Sequence, residues 1–171
     1  IMTDQPWPFW GCPARDAQRT LTATKPVYDP AGLPPLHRRT EAGLKTKPLW
    51  QLYGAGTVGG EAILGIPRVR ALLTALGDDE AKVWPFQTGW KALTENDVAD
   101  LKALIAEVHP GLVETKIEAG EVADRAKVRS LAEHFARLDD AGKLGAAFAQ
   151  TKGGPSDIAP VETEEGWILG A

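Results

Sequence analysis

The sequence predicts an α/β layer architecture, on three observations. Short apolar runs of strand length (LWQLY at 49–53, KVWPF at 82–86, ALIAEV at 103–108) alternate with segments whose apolar residues recur every three or four positions. A glycine-rich turn, GAGTVGG at 54–60, joins the first run to a helical segment. The chain has 171 residues, 43% of them hydrophobic, which suits a single domain (1–171) with a real core.

Residues 1–46 read as an irregular segment wrapping a core at 47–171. Pro6, Pro8, Pro13, Pro26, Pro30, Pro34 and Pro35 exclude long helices and central strands there, and Pro48 follows. Trp7, Phe9 and Trp10 are expected to pack, because an exposed aromatic cluster invites association. After the glycine turn a brief helical piece is expected to stop at Pro67. Pro67 then opens a helix carrying Val69, Leu72, Leu73 and Leu76 on one face, with Gly77 as its C-terminal cap. Asp78, Asp79 and Glu80 make a solvated turn, and KVWPF is an edge strand ended by Pro85.

Thr94 to Asp97 has the form of a capping box, with Val98, Leu101 and Leu104 as the buried stripe of the helix it starts. That stripe gives way to a buried strand at 103–108, closed by His109, Pro110 and Gly111. Another short strand is expected within 112–121 (LVETKIE). Asp124 to Asp139 reads as a helix on the spacing of Val128, Leu131, Phe135 and Leu138. Gly142 precedes a helical piece with Leu144, Ala147 and Phe148 inward; 151–160 is a loop, and EEGWIL at 164–169 closes the chain.

The net charge is −4, unevenly placed: 1–77 holds nine Lys/Arg against five Asp/Glu, and 78–171 ten against eighteen. That balance excludes a general nucleic-acid coat, although Arg38, Arg39, Lys45 and Lys47 form a local basic patch. The single cysteine, Cys12, excludes an internal disulfide and a cysteine-built zinc site, and it sits in a Gly-Cys-Pro turn without a base to activate it. No apolar run approaches the ~20 residues of a membrane span, and the N-terminus has no signal-peptide pattern. A cytoplasmic protein with no membrane partner is the expectation.

The glycine turn is the first candidate site. Strand, glycine turn and helix start is how a backbone directs several N–H groups at an anion. Gln51, Tyr53, Gly54, Gly56, Thr57 and Gly59 would line it for a phosphate-containing small molecule or nucleic acid, with Arg38 and Arg39 gripping phosphate oxygens. The competing reading of Arg38 is a loop anchor paired with Glu41 beside His37. GAGTVG also matches the dinucleotide fingerprint, whose mechanism needs a preceding strand, a full following helix and an acid ending the next strand. Only seven residues separate the turn from Pro67, and Asp78 and Asp79 follow a helical stripe, so close packing or another ligand competes.

The second candidate is acidic. Glu107 sits at the end of an apolar strand, where α/β sites lie, and Asp124 opens the long helix. Together they could ligate Mg²⁺ or Mn²⁺ through hard oxygens; the bland alternative is a rim residue and a plain helix cap. His109 is either a ligand and proton carrier or a turn residue. A third arrangement has Trp50, Tyr53, Trp84 and Phe86 lining a pocket for a small molecule or peptide, as a non-catalytic module. No organic cofactor is implied.

Six phrases together carry a family resemblance: FWGCP at 9–13, KPLWQLYGAGTVG at 47–59, WPFQTG at 84–89, EVHP at 107–110, DRAKV at 124–128 and EEGWILG at 164–170. They resemble a bacterial family of unknown function related to predicted nucleases with an RNase H-like fold. Its members are sometimes labelled molybdopterin guanine dinucleotide or cobalamin biosynthesis proteins. The resemblance implies a mixed sheet flanked by helices and a catalytic acidic metal cluster. Glu107 looks like its later strand carboxylate and Asp124 like the acid leading its final helix. Departures are clear. The family's opening acidic strands have no counterpart here, so the chain resembles the C-terminal part of such a protein. His109 and Gly111 stand where Tyr and Ser are expected, and Lys127 where Gln is expected. An incomplete sheet would leave an open edge, to be covered by a missing N-terminal segment or a second copy.

Overall fold

Helix α1, Gly59–Leu76, is a single run of 18 residues with Pro67 inside it. Proline lacks the N–H for one helical hydrogen bond and crowds the preceding turn. The helix nevertheless continues into Arg70, Ala71, Leu72 and Leu73, a run of good helix formers, even though Gly65 and Ile66 before the proline are weaker ones. The expected break at Pro67 does not occur. The computed structural model describes residues 7–27, 32–77 and 79–171; Pro6, Pro30 and Asp78 lie outside the described residues. The chain divides into two compact units, Ile1–Ala75 and Leu76–Ala171.

In the first unit, backbone hydrogen bonds substitute for regular sheet. Trp10 donates to the Trp50 carbonyl (3.2 Å) and Leu52 to the Trp10 carbonyl (2.8 Å), so 10–12 and 50–52 run together through one parallel bridge, Trp10 to Gln51. The expected strand at 49–53 is reduced to that bridge. Phe9 packs edge-on against Trp50, with ring centroids 5.2 Å apart, as expected for the N-terminal aromatics. Gly11 (φ 100°) is required here, since a Cβ would lie 2.9 Å from the Tyr53 nitrogen.

The second unit has mixed helix and strand. Strands β1 (Ala81–Val83) and β2 (Ala103–Ile105) pair in parallel, Ala81 opposite Ala103 and Val83 opposite Ile105. An isolated parallel bridge between Glu107 and Ile168 extends the pairing to the end of the chain, and Leu169 donates to the Glu107 carbonyl at 2.8 Å. Helix α2 (Glu95–Val98) starts at the capping box: the Asp97 carboxylate accepts from the Thr94 N–H (2.8 Å) and hydroxyl (2.6 Å). Those bonds, with Lys91 beside them, hold the Asp97 carboxyl below the usual carboxylate range.

Helix α3 (Ala123–Asp140) lies where the apolar spacing placed it, with Leu131 buried; Val128 remains exposed. Leu144 and Ala147 of α4 (Leu144–Ala147) pack on the core, and Phe148 is part of it. The core gathers Trp84, Trp90, Leu93, Phe148, Val161, Trp167 and Leu169. Gly145 permits its closest approach, because a Cβ there would run into the Leu93 carbonyl oxygen. Residues 151–160, expected as loop, contain α5 (Pro155–Pro160), which continues into one π-helical turn, Val161–Glu165.

No strand forms within 112–121. A strand needs a neighbour, and the Lys116 backbone instead bonds to side chains of α3. Its N–H donates to Ser130 Oγ (3.2 Å), and its carbonyl accepts from Arg129 (2.7 Å). Arg129 also grips Glu121 at 2.8 and 3.1 Å. That grip, with the Glu118 N–H adding to it, lowers the Glu121 pKa to about 2. Among the described residues, no helix is long and apolar enough to cross a membrane.

Candidate ligand-binding site

The glycine turn leads directly into α1. Gly54 (φ 126°) and Gly56 (φ 74°) take left-handed backbone that glycine accepts most readily. Thr57 closes the turn, donating through both its N–H (3.2 Å) and its hydroxyl (2.9 Å) to the Gly54 carbonyl. The Gln51 amide donates to the Tyr53 carbonyl at 3.0 Å. The Thr57 hydroxyl and the Gln51 amide nitrogen therefore hold the loop itself.

Gly59 fixes where the helix starts. Its N–H donates to the Gln51 carbonyl (3.2 Å), and Ala62 donates to Val58 (2.8 Å). Among the described residues, the N–H groups of Gly60 and Glu61 have no acceptor. These are first-turn donors, at the end of the helix where the peptide dipoles leave partial positive charge. Tyr53, Gly54, Ala55 and Gly56 are all exposed beside them, Tyr53 to 57%. The Glu61 carboxylate lies in the same turn and opposes an anion.

The basic residues serve differently. Arg38 Nε and Nη2 both donate to Glu41 Oε1 (3.2 and 3.1 Å), while the Arg38 N–H donates to Glu41 Oε2 (2.9 Å). Glu41 is buried, so the pair is a loop anchor. Arg39 is exposed on the same 3-10 turn, Arg39–Glu41. Cys12 is buried, its thiol 3.7 Å from the Leu21 carbonyl, in a setting that does not expose a nucleophile.

The acidic candidates lie in the second unit. Glu107 is exposed at the C-terminal side of β2, its backbone engaged with Ile168 and Leu169. Asp124 sits in the first turn of α3, its side chain 93% exposed and paired with Lys127 Nζ at 2.9 Å. His109 Nδ1 accepts the Gly111 N–H (3.0 Å), which makes it a turn residue. Among the described residues, no group of three or more His, Cys, Asp or Glu side chains is placed to hold a metal ion.

The four aromatics of the pocket reading divide between the units. Trp50 and Tyr53 are in the first; Trp84 and Phe86 are in the second, Trp84 in its core and Phe86 against Gly166. Sequence reasoning passed over Glu162, whose Oε1 accepts the Trp90 N–H at 2.7 Å, tying the 84–90 loop to the π-helical turn. It also passed over a cleft of about 290 Å³ beside α3, lined in part by Lys116, Ser130, Glu133, His134 and Arg137. The spacing of the last four at three and four residues was legible as one helix face.

Comparison with family models, curated proteins and solved structures found no match to this chain.

Proposed function

We propose that the chain is a binding module for a phosphate-containing small molecule, held at the glycine turn and the first turn of α1. One observation carries the reading. An exposed turn with two left-handed glycines opens onto the N-terminus of an 18-residue helix, where the N–H groups of Gly60 and Glu61 lack acceptors among the described residues. Backbone N–H groups and the helix dipole then recognise phosphate oxygens without a catalytic side chain. The dinucleotide reading gains a full helix but lacks its sheet, since residues 49–53 contribute only one bridge. Calorimetric titration with inorganic pyrophosphate tests the proposal. Gly56→Ala is the informative variant: a Cβ there meets nothing within 4 Å, so strain at φ 74° alone disturbs the turn. Saturable binding weakened about tenfold by Gly56→Ala is expected, for a backbone cost of about 1–2 kcal/mol. No binding to the unmodified chain would sink the proposal.

A second reading rests on Glu107 at the C-terminal side of a parallel strand pair. On that reading the chain is RNase H-like and belongs to a divalent-metal-dependent phosphodiester- or nucleotide-acting hydrolase, or is a degenerate relative. The residues fit the metal only in part. Mg²⁺ favours six oxygen ligands, whereas Asp124 is engaged by Lys127 and no third acid is grouped with the pair among the described residues. Mn²⁺ titration of the chain and of Glu107→Ala decides it. Binding lost in the variant supports this reading, and no binding in either removes it.

A further inference from the structure

We propose that one face of α1 is a docking surface for a second copy of this chain, packed antiparallel across Leu64 and Gly65. Residues 61, 64, 65, 68, 72 and 75 recur at three- and four-residue steps and share one side of the helix. Leu64 is 74% exposed and Leu72 is 49% exposed, a solvent-facing apolar stripe on a helix in which only Gly59 is buried. A Cβ on Gly65 would meet nothing within 4 Å, so the middle of the stripe is open to a neighbouring helix.

The charges argue for the occupant. Glu61 and Arg68 stand two turns apart on this face, on either side of Leu64 and Gly65, and both are exposed. Among the described residues, neither has an ion-pair partner. A two-fold axis passing between Leu64 and Gly65 sets residue 61 of each copy opposite residue 68 of the other, and each Leu64 opposite a Gly65. Opposite charges balanced about an apolar midpoint are what an isologous interface uses, since the same patch must complement itself. The inference does not rest on the ligand reading, and its test is run without ligand.

Sedimentation equilibrium of the whole chain reads the outcome, with circular dichroism checking that each variant keeps its helix. A monomer–dimer equilibrium at micromolar concentration is expected. Glu61→Arg or Arg68→Glu alone places like charges opposite each other twice and should raise the dimer dissociation constant about tenfold or more. The double exchange restores the pairing and should return the constant to near its original value. Leu64→Ala weakens the dimer through lost apolar contact alone. A monomer at every concentration, a dimer indifferent to the single exchanges, or a double exchange without recovery would each overturn the proposal.

Discussion

Trp84→Ala is expected to destabilise the second unit by about 3–5 kcal/mol, the range for truncating a large buried aromatic. Trp84 is 2% exposed and meets Phe148 edge-on, with ring centroids 5.5 Å apart. Its backbone N–H donates to the Ile105 carbonyl at 2.9 Å, a bond the substitution keeps. The loss is therefore of packing between the β1 end and the core. Trp84 Nε1 has no hydrogen-bond partner among the described residues, so no side-chain bond is broken. Trp84→Phe should accordingly cost far less, because it removes a buried donor along with one ring. Urea midpoints followed by far-UV circular dichroism check both. Equal losses for Ala and Phe would show that the indole matters for something other than volume.

Gly59→Ala is the second large effect, and its sign runs against helix propensity. Alanine is better than glycine inside a helix by about 1 kcal/mol, which alone predicts a gain. Here a Cβ would stand 2.6 Å from the Gln51 carbonyl oxygen and 3.1 Å from that of Leu49. Both are backbone atoms of the segment that carries the turn, so the helix start must move away from it. A net loss of about 2 kcal/mol or more is expected in the first unit, together with loss of pyrophosphate binding. Gly60→Ala is the control: its Cβ would lie 3.9 Å from the Leu52 carbonyl oxygen, an ordinary contact, and propensity should prevail. Thermal unfolding of the two variants distinguishes them, since a pure propensity effect would stabilise both.

Those two glycines also show where sequence reasoning reached its limit. Apolar spacing at Leu131 and Phe135 placed α3, and Thr94 with Asp97 gave the α2 cap, because both signals are local. Pro67 misled, since a proline's local cost does not by itself decide whether the helix resumes beyond it, as it does here through Arg70, Ala71, Leu72 and Leu73. The α5 signals, Pro155 at the first position and Asp157 accepting the Gly154 N–H at 2.8 Å, were present but outweighed by neighbouring glycines. Residues 112–121 have strand-like composition, yet strand formation depends on a partner chosen by tertiary structure, and Arg129 and Ser130 take that place. At the site, the glycine turn could be read from its residues. The commitment of Arg38 to Glu41 could be read only as an alternative, and the pairing of Asp124 with Lys127 was not read at all, because spacing does not say which partner a charge selects.

The most direct test of the binding proposal is an amide-resolved NMR titration of the whole chain with inorganic pyrophosphate. Saturable shifts concentrated on the amides from Gly54 to Glu61, largest at Gly60 and Glu61, are the predicted result. Shifts that do not saturate, or that scatter over exposed lysines while these amides stay still, would contradict it.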